Sequence, residues 1–178
     1  GWSYSKGTIN THASTGVWYV YRSGGGGAHG WVRLEQTLDI PVVDDTYIEF
    51  DIHAISSSVR NYTGDGNGEF PANVQLTLDT PAGDYSLRFA YSEDNASKPD
   101  RSGSDWYQVT NMNSGYWKRG ERYNIRDYVP TATRITEIDL FSNGWSFTGE
   151  WDNIEIVSDS AAVPGPLAIF GGLGLLGY

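Results

Sequence analysis

Apolar and polar side chains alternate along most of this chain. Between His29 and Ile40, the positions Val32, Leu34, Gln36, Leu38 and Ile40 share one parity, and Trp31, Arg33, Glu35, Thr37 and Asp39 share the other. Between Thr46 and Ile55, Ile48, Phe50, Ile52 and Ala54 alternate with Tyr47, Glu49, Asp51 and His53. Val74, Leu76 and Leu78 alternate with Gln75, Thr77 and Asp79, and Tyr85, Leu87, Phe89 and Tyr91 alternate with Ser86, Arg88 and Ala90. A period of two is the mark of strands with one face in a core and the other in water. The tetrapeptide Pro81-Ala82-Gly83-Asp84 has the chemistry of a tight turn and predicts a hairpin between the last two strands. Further strands are predicted at Val17–Tyr21, Trp106–Thr110, Arg122–Ile125, Arg134–Phe141 and Glu150–Val157, and no helical period of useful length runs between residues 30 and 158. The pattern predicts an all-β protein, with about eight to ten antiparallel strands in two packed sheets.

The two ends depart from this pattern. Residues 1–30 are rich in Gly, Ser and Thr, and Gly24-Gly25-Gly26-Gly27 reads as a loop. Residues 161–178 are almost purely apolar, Gly and Pro. The expected organisation is a sandwich domain over residues 1–160 followed by a short hydrophobic tail over 161–178.

Composition narrows the function. The chain has 178 residues, enough for one domain with its own core. Its net charge of −10 argues against nucleic acid and anionic lipid as partners. It has no cysteine, which excludes thiol catalysis, zinc–thiolate sites and disulfides. The opening Gly1-Trp2-Ser3 reads as a mature secreted chain whose signal peptide has been removed. No apolar stretch reaches the roughly 18–20 residues of a spanning helix.

The order of the strands adds a resemblance. A Gly-rich segment precedes Val32-Arg33-Leu34-Glu35-Gln36-Thr37-Leu38, an Asp-rich turn leads to Tyr47-Ile48-Glu49-Phe50-Asp51-Ile52, and a central hairpin follows. The domain closes on Thr136-Glu137-Ile138-Asp139-Leu140-Phe141 and Trp151-Asp152-Asn153-Ile154-Glu155-Ile156. Over roughly residues 15–158 this resembles the galactose-binding-like jelly roll of many carbohydrate-binding modules, which implies an antiparallel jelly-roll β-sandwich. The segment Val163-Pro164-Gly165-Pro166 with the Leu/Gly-rich run to Tyr178 resembles the PEP-CTERM tail of exosortase-sorted bacterial surface proteins. It lacks that tail's basic cluster, and Gly165 stands where a glutamate is usual. The resemblance implies a secreted, extracellular or cell-surface protein that meets the membrane only transiently, during sorting.

Candidate sites follow. Asp152 shares parity with Ile154 and Ile156, so an inward carboxylate needing a partner is expected there. In the jelly rolls it resembles, the matching Asp helps hold a structural calcium, with Glu150, Asp139 and backbone carbonyls as conceivable co-ligands. The alternative is an Asp satisfied by neighbouring backbone N–H groups. Asp65-Gly66-Asn67-Gly68-Glu69 lacks the full twelve-residue calcium loop and reads as a turn. Trp18, Trp106, Trp117, Trp145 and Trp151 are candidate stacking surfaces, and Trp106, Tyr107 and Trp117 lie beside polar loops of the kind that bind sugars. Core packing is the competing role for each.

Catalysis finds no motif: His12, His29 and His53 lack metal-ligand spacing, and no Gly-x-Ser-x-Gly elbow occurs. In the tail, Leu167, Phe170, Leu173 and Leu176 recur every third residue, as do Gly171 and Gly174, which points to self-association with other copies. The expected function is non-enzymatic: a structural or adhesive protein of a cell surface or extracellular matrix, assembling through its tail, with filaments one outcome. The alternative is a carbohydrate-binding module for extracellular polysaccharide with an aromatic sugar site.

Overall fold

The computed structural model of the chain describes residues 8–11, 17–22, 30–56, 70–91, 104–108, 116–144, 147–159 and 167–168. In chain order these form β1 (Thr8–Thr11), β2 (Trp18–Arg22), β3 (Gly30–Pro41), β4 (Thr46–Ser56), β5 (Phe70–Thr80), β6 (Gly83–Tyr91), β7 (Ser104–Gln108), β8 (Lys118–Asn124), the one-turn helix α1 (Ile125–Tyr128), β9 (Arg134–Gly144), β10 (Phe147–Ser158) and β11 (Leu167–Ala168). Two sheets result. One has the order β1-β2-β10-β4-β8, with β11 added to β10, and the other has the order β3-β9-β5-β6-β7. All pairings are antiparallel except β6–β7, which is parallel. The chain crosses between sheets after β2, β3, β4, β7, β8 and β9, so strands distant in sequence become neighbours. This is the all-β sandwich that the periodicity predicts. Among the described residues the strands number eleven, above the expected range, because β1 and β11 are too short to show alternation.

The core lies where the apolar parities meet. Ile48, Phe50, Ile52 and Ala54 of β4 and Val74, Leu76 and Leu78 of β5 are buried, joined by Leu87, Phe89, Leu140 and Trp151. Each large side chain of this kind contributes about 1.5–3 kcal/mol by leaving water. Phe50, Phe89 and Tyr123 stack at one end, with the Phe89 and Tyr123 rings 4.5 Å apart. The Tyr123 hydroxyl donates to Glu121, and burial together with that carboxylate pushes its pKa upward.

Local chemistry ends β8 earlier than the strand predicted through Ile125. The Asn124 side chain accepts from Arg126 N–H, capping a helical turn, and Pro130 follows.

Register irregularities break the parities in β9, in β10 and in β8, where Glu121 lies opposite Phe50 but Lys118 opposite Ile52, so that β8 bulges around Gly120. In β9, Ile138 lies opposite Leu76 and Ile135 opposite Leu78 of β5, so β9 carries one extra residue between them. In β10, the register against β4 shifts between Asp152 and Glu155, and Asn153 adopts φ 50°. This β10 bulge corrects the inward placement expected for Asp152. Trp151, opposite Ile52, takes the buried position, and Asp152 faces outward and accepts from Asn153 N–H at 2.9 Å.

The buried carboxylate of this region belongs to Asp51 instead. It accepts from Gly120 N–H at 2.7 Å, Asn153 Nδ2 at 2.9 Å and Arg119 Nη1 at 3.0 Å. Gly120 and Asn153 are the positive-φ residues of the two strands that flank β4. One carboxylate therefore ties down an irregularity on either side of it.

Candidate functional site: the outer face of the five-stranded sheet

Register across β3, β9, β5, β6 and β7 lines polar residues into transverse rows. Glu35 is opposite Asp139, Asp139 opposite Gln75, Gln75 opposite Arg88, and Arg88 opposite Trp106. The next row is Thr37, Glu137, Thr77, Ser86 and Ser104. Those of β3, β9, β5 and β6 occupy the parity opposite to the core, because Leu34, Leu140, Leu76 and Leu87 fill the alternate positions.

The side chains of the first row are linked. Arg33 donates to Asp139 through Nε at 2.5 Å and Nη2 at 3.0 Å, and to Glu137 at 2.6 Å, with Glu35 at 3.4 Å. Gln75 donates to the same Asp139 at 3.2 Å and accepts from Arg88 through Nε at 2.9 Å. The Arg88 guanidinium lies 4.3 Å above the Phe141 ring. The network fixes which way the Gln75 amide points and presents acceptors at one end and a guanidinium at the other.

Electrostatics are strained at the acidic end. Asp139 is almost wholly buried, and burial raises its pKa although Arg33 and Gln75 pull the other way. Glu137 is raised by burial and by the adjacent Asp139. Burial works against the Arg33 cation, but Asp139 and the two glutamates outweigh it and raise its pKa. Glu35, Glu137 and Asp139 bring carboxylate oxygens within 4.8 Å of one another, the donor type calcium prefers. The Arg33 guanidinium already bonds Asp139 and Glu137 there, in the part a cation would play.

The six-stranded sheet carries a different outer face. His53 Nδ1 lies 2.5 Å from Glu150 Oε2 on β10. The His53 ring stacks on Trp117 at 5.2 Å, and Arg119, held by Asp51, lies 4.8 Å from the same indole.

The sequence-predicted residues are thus dispersed. Trp106 takes a place in the polar row of the five-stranded sheet, whereas Tyr107 stands opposite core-buried Phe89. Trp117 precedes β8 in the other sheet, its ring packed against His53 and Arg119. Trp151 is in the core, with Trp18 packed against it from β2. Trp145, His12 and His29 lie outside the described residues. Asp152 is separated from its conceivable co-ligands, since Asp139 belongs to the other sheet and Glu150 is engaged by His53. Leu167 pairs with Ile156 in β11, and Phe170, Gly171, Leu173, Gly174 and Leu176 lie outside the described residues. Arg33, Gln75 and Arg88 join the site without a sequence motif of their own. Their polar parity was visible, but not the register that brings them together.

No family model matches this chain, and no curated protein matches it.

Proposed function

We propose that the chain is a non-enzymatic, secreted adhesive domain of a cell surface or extracellular matrix, that it holds polysaccharide on the outer face of its five-stranded sheet, and that it self-associates through its C-terminal segment. The observation that carries the reading is the row Glu35–Asp139–Gln75–Arg88–Trp106, five consecutive strands presenting polar groups that end at an indole-bearing position. Sugar hydroxyls both donate and accept, so they match a face with carboxylate and amide oxygens at one side and guanidinium N–H groups at the other. The hydroxyl-bearing Thr77 and Ser86 of the neighbouring row extend the same surface. A polar row that crosses several strands suits a chain polymer better than a small molecule, which favours concave pockets. Self-association is supported by the pairing of Leu167–Ala168 on β10, which makes the tail segment competent to extend a sheet.

A glycan array followed by calorimetry on the polysaccharides retained tests the binding. Arg88→Ala and Trp106→Ala are expected to weaken binding at least tenfold, and Trp117→Ala to leave it unchanged. Binding that depends on Trp117 but not on Arg88 would move the site to the other sheet. Release of new reducing ends by the purified chain would contradict the non-enzymatic reading.

A further inference from the structure

β3 is an edge of the five-stranded sheet. β9 pairs it on one side, and among the described residues no strand pairs it on the other. Exposure alternates without a break along it: Arg33, Glu35, Thr37 and Asp39 are exposed, and Leu34, Gln36, Leu38 and Ile40 are half-buried. The register shift against β9 between Thr37 and Ile40 therefore leaves the two faces of the strand intact. Other protections of an edge are missing. β3 has no lysine, no charge on the core parity between Arg33 and Ile40, and proline only at its last residue, Pro41. Leu34, Leu38 and Ile40 pack only partly against the core, whereas Leu140 and Leu76 of the interior strands are wholly buried. A long edge strand with incompletely covered apolar residues is a template for a further strand.

The strand is complementary to itself. Antiparallel pairing of two copies about a two-fold axis at Gln36 sets Arg33 opposite Asp39, Leu34 opposite Leu38, Glu35 opposite Thr37 and Gln36 opposite Gln36. Opposite charges then meet on the outer face and leucines on the core face, and each Gln36 amide can both donate and accept. Other axes fit less well. An axis at Glu35 sets Glu35 against itself, and one at Thr37 sets Glu35 against Asp39. An axis at Leu34 leaves Asp39, Ile40 and Pro41 beyond the partner strand. The charged groups are also available. Arg33 holds Asp139, Glu137 and Glu35 through Nε and Nη2, and its Nη1 bonds none of the described residues. Asp39 is exposed and meets Arg134 through Oδ1, which leaves Oδ2 for a partner.

We infer that two copies of the chain join edge to edge through β3, antiparallel about Gln36, with Arg33 of each copy paired to Asp39 of the other. The contact is isologous and closed, so it makes a dimer by itself and stands apart from association through the C-terminal segment. It covers Leu34 and Leu38 and joins the two five-stranded sheets into one. The outer faces of both copies lie on the same side, because paired residues share a face. One consequence rests on the polysaccharide reading: the two Arg33–Asp139–Gln75–Arg88 networks come to lie on one continuous surface, and a polymer that binds both gains by avidity.

The absence of cysteine in the chain makes the test direct. Directly opposite residues of paired strands stand about 4.5–5.5 Å apart at Cα, within reach of a disulfide. Glu35→Cys and Thr37→Cys, both at exposed positions, are made singly in the full chain, mixed in equal amounts, oxidised and separated without reductant, beside each variant alone. Sedimentation of the unmodified chain and of Asp39→Lys across concentration reads the association itself. The pairing predicts a dimer, a mixed disulfide product well above that of either variant alone, and association at least tenfold weaker for Asp39→Lys. Glu35→Cys linking to itself as readily as to Thr37→Cys would overturn the Gln36 axis. Association that Asp39→Lys leaves unchanged, without the mixed product, would overturn the pairing and leave the C-terminal segment as the contact. A chain that stays monomeric would overturn the pairing, and if that monomer still binds polysaccharide, the glycan reading survives it.

Discussion

Two buried carboxylates, one on the outward side of each sheet, play opposite parts. Asp51 in β4 collects three donors from the strands on either side, and two of them belong to the bulge residues Gly120 and Asn153. Asp139 in β9 sits among Glu35 and Glu137, and its partner Arg33 is shared with both. The first is a carboxylate enclosed by donors. The second is crowded by like charge, and its pKa is raised by its burial. The residue type and the depth are similar, so the difference lies in what surrounds them. One arrangement fixes backbone geometry, and the other maintains a polar surface at some cost in stability.

The largest expected effect is at Asp51. Asp51→Ala leaves buried donors without an acceptor and releases both bulges, and should cost about 3–5 kcal/mol in a denaturant melt. Asp139→Ala, the same deletion in the second group, should cost less, about 1–2 kcal/mol. Asp139→Asn removes a crowded charge while keeping a hydrogen-bonding side chain, and should change stability by under about 1 kcal/mol. Equal losses at the two sites would erase the distinction.

Arg33→Ala tests the crowding from the other side. It leaves Asp139 buried without its principal counter-charge, and should cost about 1–2 kcal/mol because the guanidinium is itself partly exposed. Gly120→Ala should cost about 1 kcal/mol through backbone strain alone. Its φ is +66°, and an added Cβ would meet nothing within 4 Å.

The smallest effect is a pH dependence. Raised carboxylate pKa values in the folded state mean that the unfolded chain loses those protons first. The contribution of Asp139 and Glu137 to stability is therefore fully present below the ordinary carboxylate range. It is lost as pH rises through their folded values. Chemical denaturation across this range should show the decline in the unmodified chain, and Asp139→Asn combined with Glu137→Gln should flatten it.

The β-sandwich was legible in the sequence because alternation reports each strand's inner face directly, as for Ile48, Phe50, Ile52 and Ala54. Parity failed at the bulges, where an inserted residue flips every side chain beyond it. Unbroken parity places Asp152 inward for that reason, whereas Trp151 holds the buried position. The candidate face was only partly legible. Arg33, Glu35, Gln75, Thr77, Arg88 and Asp139 all stand on polar parities, but they lie on four strands whose neighbours are set by crossovers between the sheets. Register between distant strands leaves no local trace, so Trp106 could be singled out while the row it joins could not.

The central claim is that polysaccharide is held on the five-stranded face. The measurement that bears on it most directly is chemical-shift mapping of the ¹⁵N-labelled chain as a binding oligosaccharide is added. The account predicts saturable shifts gathered at Gln75, Thr77, Ser86, Arg88 and Asp139, with His53, Trp117 and Glu150 unmoved. Shifts gathered at His53, Trp117 and Glu150 instead, with the Gln75–Arg88 row unmoved, would contradict it.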